Sequence, residues 1–269
     1  MSKIKKIFAT DMDGTFLRDD RTYDVKRLEE LLTRFDEAGA LFCAASGRQL
    51  LALQELFAPF KDRISFVAEN GGVVAIGEEI ILAVKFDKKQ MEELLRALQL
   101  MPHTPMESFM ISGLKSAYAP LTVSQDYYNF INDYYANSQK VDSLSKIDDA
   151  MLKISTHFPE EHIFECADWI NQHVPFARAT PSGYRAVDII PAGVSKATGL
   201  EVLAKHFDLT NKDTVAFGDQ MNDFEMLQHA GTAVAVENAV DTLKTVADYT
   251  IASNDKSSVL AEMEQLVKS

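Results

Sequence analysis

The chain has 269 residues, 46% of them hydrophobic, and a formal net charge of −13. That length holds one large domain or two of ordinary size, and the apolar content supports a packed core, which excludes a disordered chain. The charge excludes nucleic acid and an anionic membrane surface as partners, since both repel an acidic protein.

In chain order, the basic opening Met1-Ser2-Lys3-Ile4-Lys5-Lys6 is followed by no long apolar stretch, so neither a signal peptide nor a membrane span is expected. Ile4–Thr10 reads as a buried strand. Val25–Ala38 reads as a helix with Leu28, Leu31, Leu32 and Phe35 on one face, stopped by Gly39. Ala40–Ala45 is a second buried strand, Gln49–Phe57 a short helix ended by Pro59, and Ile64–Glu69 a third strand. Short buried strands separated by helices indicate a doubly wound parallel sheet. The pattern then changes. Val73–Ile76 and Ile80–Phe86 read as a hairpin around Gly77-Glu78-Glu79, and Lys88–Met101 as a helix. Residues 103–187 mix strand-like runs (Ser116–Ala119, Leu152–Phe158, Arg185–Ile190) with helices near Ser124–Ala136 and Glu160–His173, without strict alternation. From Ser195 the alternation returns: helix to His206, strand Thr214–Phe217, helix Asp223–His229, strand Thr232–Val236, helix Val240–Val246, strand Tyr249–Ala252, helix Ser257–Val267. The expected architecture is α/β: a Rossmann-like core of residues 1–82 and 188–269, interrupted by an α+β cap of residues 83–187. Cys43 and Cys166 lie far apart, with no metal-like spacing; Cys43 reads as a small core residue, and a reducing cytoplasm fits this usage.

The chemistry concentrates at strand ends. Asp11-Met12-Asp13-Gly14-Thr15 directly follows the first strand. In an extended backbone residues i and i+2 point the same way, so Asp11 and Asp13 address one point in space, where two acids repel unless a cation or proton lies between them. Ser46-Gly47-Arg48 follows the second strand, and Gly218-Asp219-Gln220-Met221-Asn222-Asp223 follows Thr214–Phe217. In open α/β sheets ligands bind outside the carboxyl ends of the strands, so Asp11, Ser46 and Asp219 converge on one edge. Lys196 opens a helix after Pro191-Ala192-Gly193-Val194-Ser195, against the positive end of the helix dipole, a local rule broken at a candidate site.

As a set these four runs resemble the signature motifs of the haloacid dehalogenase superfamily of phosphohydrolases. The resemblance implies that Asp11 is a nucleophile forming an aspartyl-phosphate and Asp13 a general acid and then a general base. Gly14 lets the chain turn from the sheet, and Thr15 is expected to hold the acids through bonds within the loop. Ser46, Gly47, Lys196 and Asn222 are the implied phosphate-binding residues. Mg²⁺ is the implied cofactor, held by Asp11, Asp219 and the backbone carbonyl of Asp13, with Asp223 acting through a bound water. Arg48 is left open between phosphate and an internal acid. Glu69-Asn70-Gly71-Gly72 reads as a tight turn because Asn-Gly populates positive φ, and the resemblance adds Asn70 as a weaker candidate. Glu237-Asn238-Ala239 is explained as an N-cap for the following helix.

The insert lies between the Ser46 motif and Lys196, because residues 16–24 are too few for a cap. This placement resembles the Cof-type subfamily, whose members act on sugar phosphates and on phosphorylated cofactors such as flavin mononucleotide or pyridoxal phosphate. The implied function is a Mg²⁺-dependent phosphatase of small phosphomonoesters; the alternatives are a phosphomutase, or a sugar-phosphate sensor, which predicts loss of one of Asp11, Asp13, Lys196 or Asp219. A small phosphorylated substrate is the expected partner, with a monomeric or homodimeric chain. In the cap, His157, Arg178, Tyr184 and Arg185 read as edge or surface residues able to meet a polar substrate. The pairs Tyr127-Tyr128 and Tyr134-Tyr135 read as packing. One departure is the run Ser253-Asn254-Asp255-Lys256-Ser257-Ser258-Val259, which lacks the subgroup's glycine and leaves the shape of that loop open.

Overall fold

In a computed structural model the described residues are 3–105, 107–132, 134–182 and 185–268. The chain divides into two compact units, Met1–Ser46 with Phe57–Leu82 and Ser195–Ser269, and Gly47–Leu56 with Ala83–Val194. Residues 47–56 and 188–194, expected in the core, group with the second unit. The cause is local. Gln49 Nε2 donates to the carbonyl of Gly113 at 2.8 Å, and the strand expected to stop at Ile190 runs on to Pro191.

The first unit is built on an eight-stranded sheet of order β14-β13-β12-β1-β2-β3-β4-β5. Its strands are β1 (Lys6–Thr10), β2 (Ala40–Ala45), β3 (Ser65–Ala68), β4 (Val73–Ile76), β5 (Glu79–Ala83), β12 (Thr214–Gly218), β13 (Thr232–Val236) and β14 (Tyr249–Ile251). From β14 to β3 neighbours pair in parallel; β4 returns antiparallel on β3, so the expected hairpin extends this sheet. β2 is buried along its whole length, as an all-apolar run between parallel neighbours must be. The helix α1 (Val25–Ala38) buries Leu28, Leu31, Leu32 and Phe35, the predicted stripe, and Asp24 caps its start by accepting the Arg27 N–H. Phe16, Tyr23, Phe42 and Phe57 form one aromatic cluster with ring centroids 5.1–6.0 Å apart. The seven-residue helix α2 (Leu50–Leu56) belongs to the second unit.

The second unit carries a six-stranded sheet of order β10-β11-β9-β6-β7-β8. These are β6 (Phe109–Gly113), β7 (Ala117–Pro120), β8 (Ser138–Val141), β9 (Met151–His157), β10 (Ala177–Pro181) and β11 (Ala186–Pro191). One face is apolar: Phe109, Ile111, Ile154, Val187 and Ile189 pack with α3 (Lys88–Leu100) and α5 (Ile163–His173). On the other, Met110, Ala117 and Ala119 pack under α4 (Gln125–Asn132), where Tyr127, Tyr128, Tyr134 and Tyr135 supply the expected packing. Register places Ser112, Lys153, Ser155 and Asp188 on that second face.

Three helices complete the first unit's later half: α6 (Lys196–His206), α7 (Phe224–His229) and α9 (Ser258–Leu266), with a single turn, α8 (Asp241–Lys244), before β14. The turn after β3 seats on α6. Glu69, Asn70 and Gly71 all have positive φ, at 52°, 54° and 99°. A Cβ on Gly71 would lie 1.9 Å from the carbonyl oxygen of Ser195, the residue before α6. Gly71→Ala should therefore cost about 3 kcal/mol or more, since strain and backbone overlap add. A fall in thermal midpoint of several degrees checks this; an unchanged midpoint would mean that the turn does not locate α6.

Candidate active site

The acidic loop leaves β1 with its backbone still extended at Asp11 (φ −64°, ψ 162°) and turns at Gly14 (φ 80°). Glycine is required twice over there, because a Cβ would also meet Asp219 Oδ2 at 2.6 Å. The turn is closed by the Phe16 N–H donating to the Asp11 carbonyl at 3.1 Å and the Leu17 N–H to that of Met12 at 2.9 Å. Asp11 is buried, and Asp13 is half-buried.

Asp11, at the end of β1, and Asp219, at the end of its parallel neighbour β12, come together with Asp223. One carboxylate oxygen from each lies within 4.8 Å of those of the other two, and all three residues are buried. Lys196 is 0% exposed and donates to Asp11 Oδ1 at 2.5 Å and to Asp223 Oδ1 at 2.6 Å. The helix start that carries it is fixed by Ser195 and Thr198, each side chain bonding the other's backbone N–H. The other oxygen of Asp223 accepts the backbone N–H groups of Asp219 (3.0 Å) and Gln220 (3.1 Å). Thr15, expected to bond within its own loop, instead reaches across to Asp219 Oδ1 at 2.7 Å.

Three buried carboxylates face one ammonium, and this imbalance sets the titration. Burial pushes the Asp11 carboxyl well above its ordinary value, Asp223 and Asp219 add to the rise, and the opposing pull of Lys196 does not cancel it. Burial and then Asp223 lift Asp219 to about 7. For Lys196 burial pulls downward, but Asp11 and Asp223 outweigh it and raise the ammonium above its usual range. A set of oxygen donors carrying surplus negative charge fits a hard divalent cation such as Mg²⁺. Asp11 and Asp219 carry buried carboxylate oxygens that could hold such a cation directly. Asp223, whose oxygens are engaged by Lys196 and two amides, is suited to act through water. The Asp13 carboxylate stands outside this cluster.

Ser46, at the end of β2, is buried; its N–H donates to the Val67 carbonyl at 2.9 Å, and its carbonyl accepts the Asn70 N–H at 3.0 Å. Asn222 Nδ2 donates to Asn70 Oδ1 at 3.2 Å. Asn70 thus joins the loops after β2 and β12, a role that the Asn-Gly turn did not reveal. Asn238, read from sequence as an N-cap, caps nothing: Val240 precedes α8, and Asn238 Nδ2 donates to the Gly14 carbonyl at 2.7 Å. Asn254 holds the same loop from the next strand connection, donating to Leu17 O and Asp19 Oδ1 at 3.0 Å each. The loop without glycine places Ser257 in the left-handed region (φ 50°), with its Oγ accepting from Arg18 Nε at 3.2 Å. Nothing in the local sequence around Asn238 or Asn254 marks these long-range bonds.

In the second unit, His157 lies edge-on to the Tyr127 and Phe130 rings, with Nδ1 3.3 Å from the Tyr127 hydroxyl, and burial lowers its pKa. Arg185 Nε donates to the Phe158 carbonyl at 3.3 Å. Arg178 is a half-exposed residue of β10, and Tyr184 lies outside the described residues. The Arg48 guanidinium stands 5.9 Å from the centre of the Tyr134 ring. Lys153, absent from the sequence-based candidates, is buried beside Asp188 at 3.4 Å. Among the described residues no helix is long and apolar enough to cross a membrane.

Residues 8–263 match the family model of the haloacid dehalogenase-like hydrolases. The chain is 30% identical over 265 residues to the 5-amino-6-(5-phospho-D-ribitylamino)uracil phosphatase YbjI of Escherichia coli K12, covering 98% of this chain and 96% of that protein. A Bacillus subtilis protein of the same described activity, YitU, is 22% identical, with 94% of each chain covered. The crystal structure of SMU.1108c from Streptococcus mutans UA159 superposes with a TM-score of 0.93 at 28% identity, over 99% of this chain and 100% of that one.

The raised carboxyls carry a pH signature. A group whose folded pKa is raised stabilises the fold fully below its unfolded value, and that contribution is lost as pH rises through the folded value, here about 7 for Asp219. A divalent cation bound among these carboxylates would take the place of the protons. The stabilisation given by Mg²⁺ should therefore be small near about pH 5.5 and amount to several degrees in thermal midpoint near about pH 8. Asp219→Asn should flatten this dependence. A Mg²⁺ effect of equal size at both pH values would place the cation elsewhere.

Proposed function

The chain belongs to the haloacid dehalogenase-like hydrolase family and is a phosphoric monoester hydrolase acting on small molecules, and we propose that it works through a covalent phosphoryl intermediate on Asp11. The observation that carries this reading is the buried Asp11 carboxylate, held 2.5 Å from the Lys196 ammonium at the carboxyl end of β1.

In the first step an Asp11 oxygen attacks phosphorus, the bond from phosphorus to the ester oxygen breaks, and Asp13 gives its proton to the departing alkoxide. In the second a water attacks the aspartyl-phosphate, Asp13 takes the proton, and inorganic phosphate leaves with Asp11 restored. Asp13, only half-buried, suits this exchange with water, whereas buried Asp11 is kept from competing reactions. Lys196 neutralises charge gathering on Asp11 and the phosphoryl oxygens, in a site where low polarity strengthens each contact. Ser46 and Asn222, joined through Asn70, offer a hydroxyl and an amide for the remaining oxygens. Mg²⁺ bound by Asp11, Asp219 and the Asp13 carbonyl, with Asp223 behind a water, would supply the positive charge that lets two anions approach.

For the substrate, the described activity of YbjI and YitU supports a primary phosphate on a polyhydroxylated chain, as in 5-amino-6-(5-phospho-D-ribitylamino)uracil. Hexose phosphates, flavin mononucleotide and pyridoxal phosphate belong in the same panel. The second unit is proposed as the cap that selects among them, and no observation favours a mutase over hydrolysis.

Phosphate release across this panel, with Mg²⁺ and with chelator, tests the reading. Asp11→Asn should remain folded and lose activity by at least about a thousandfold. Asp13→Asn should slow alkyl phosphates by about a hundredfold or more, and nitrophenyl phosphate by less in the first step, because a nitrophenolate leaves without a proton. Full turnover in Asp11→Asn would end the proposal.

A further inference from the structure

The catalytic scheme uses one buried lysine, Lys196, and leaves a second, Lys153, without a task. Lys153 stands on β9 at 3% exposure. Its ammonium is 3.4 Å from Asp188 Oδ2, and Ser155 Oγ holds the other Asp188 oxygen at 2.7 Å. Burying an ammonium costs several kcal/mol unless its partners are well placed. A carboxylate and a hydroxyl on adjacent strands would complete a structural pair by themselves. Yet Lys153 also donates to the main-chain carbonyl of Gly47, 106 residues away.

Gly47 is the residue after Ser46, and two carbonyls are held there in succession. That of Ser46 accepts the Asn70 N–H at 3.0 Å, and that of Gly47 accepts from Lys153. A trans peptide points its N–H opposite its C=O, and no peptide in the described chain is cis. The two anchored carbonyls therefore turn the amides of Gly47 and Arg48 away from Asn70 and Lys153. A third clamp, Gln49 Nε2 on the Gly113 carbonyl at 2.8 Å, stops the segment swivelling about the lysine bond.

We propose that Lys153 is a positioning residue for phosphate binding. Through the Gly47 carbonyl it sets the orientation of the peptide that follows Ser46, so the donors of residues 46–48 meet a phosphate already aligned. This rests on the reading of Ser46 as a phosphate-binding residue. An orienting role predicts an effect on affinity for the phosphoryl group, in substrate and product alike, with the chemical steps at Asp11 little changed.

The test uses the full chain with saturating Mg²⁺ and nitrophenyl phosphate, reading KM, kcat and the inhibition constant of inorganic phosphate, together with the thermal shift given by inorganic phosphate. In Lys153→Met, KM and the inhibition constant should both rise about tenfold, with kcat within about threefold of wild type. Lys153→Arg, which keeps a charged donor, should recover most of the loss. Because Lys153→Met strips Asp188 of its counter-ion, Lys153→Met/Asp188→Asn removes both charges and should show the same rise in a protein of near-normal stability. A KM and inhibition constant within about twofold of wild type in either folded variant would overturn the proposal, as would a fall in kcat with phosphate affinity intact. If the wild type cleaves no ester, yet inorganic phosphate raises its thermal midpoint and Lys153→Met abolishes that rise, the catalytic reading falls and the positioning role stands.

Discussion

The first unit is organised around one ammonium group. Lys196 Nζ sits between Asp11 and Asp223 with no exposure to solvent, and each partner fixes something further. Asp223 ties down the loop after β12 by accepting from the amides of Asp219 and Gln220. Asp11 begins the turn whose glycine allows Asp219 to approach. A lysine in the first turn of a helix opposes the macrodipole, at a cost of a few tenths to about 1 kcal/mol. Two charge-assisted contacts in a buried site outweigh that, and the Ser195–Thr198 capping box together with the close seat of Gly71 keeps the helix start in place.

This arrangement holds more negative charge than one lysine can neutralise, and under the proposed function that imbalance is what would recruit a cation. A pocket already neutral would gain nothing from a cation. A pocket with two surplus carboxylates in low polarity favours protons or a divalent ion.

Much of this was legible in the sequence, for a definite reason. α1, β2 and β13 occupy their predicted residues because buried parallel strands read as continuous apolar runs and α1 as a regular stripe. Asp11, Ser46 and Asp219 were placed by the rule that such strands deliver their next residue to a common edge. What escaped was non-local. The local sequence suggests that Thr15 bonds within its loop, whereas it bonds Asp219, and that Asn238 is a cap, whereas it holds Gly14. β8, the polar edge run Ser138–Val141, lacks the alternation that marks strands; β10, Ala177–Pro181, alternates but only through small alanines and ends in proline; β6 is a short apolar run between turns. Lys153 was hidden because a lysine in a strand reads as an exposed residue; only its register beside Asp188 and Ser155 shows that face to be buried.

The net charge of −13 runs against an anionic substrate. At physiological salt the field of exposed charges is screened over about 8 Å, so distant surface carboxylates contribute little at a buried site. What the substrate meets is set by groups water cannot screen. Lys196 is one, and it is raised above the usual lysine range by its own partners, so it stays charged across the working pH. The acidic exterior repels nucleic acid and anionic membrane, and under the proposed function the affinity for phosphate is set by the buried groups near the end of β1.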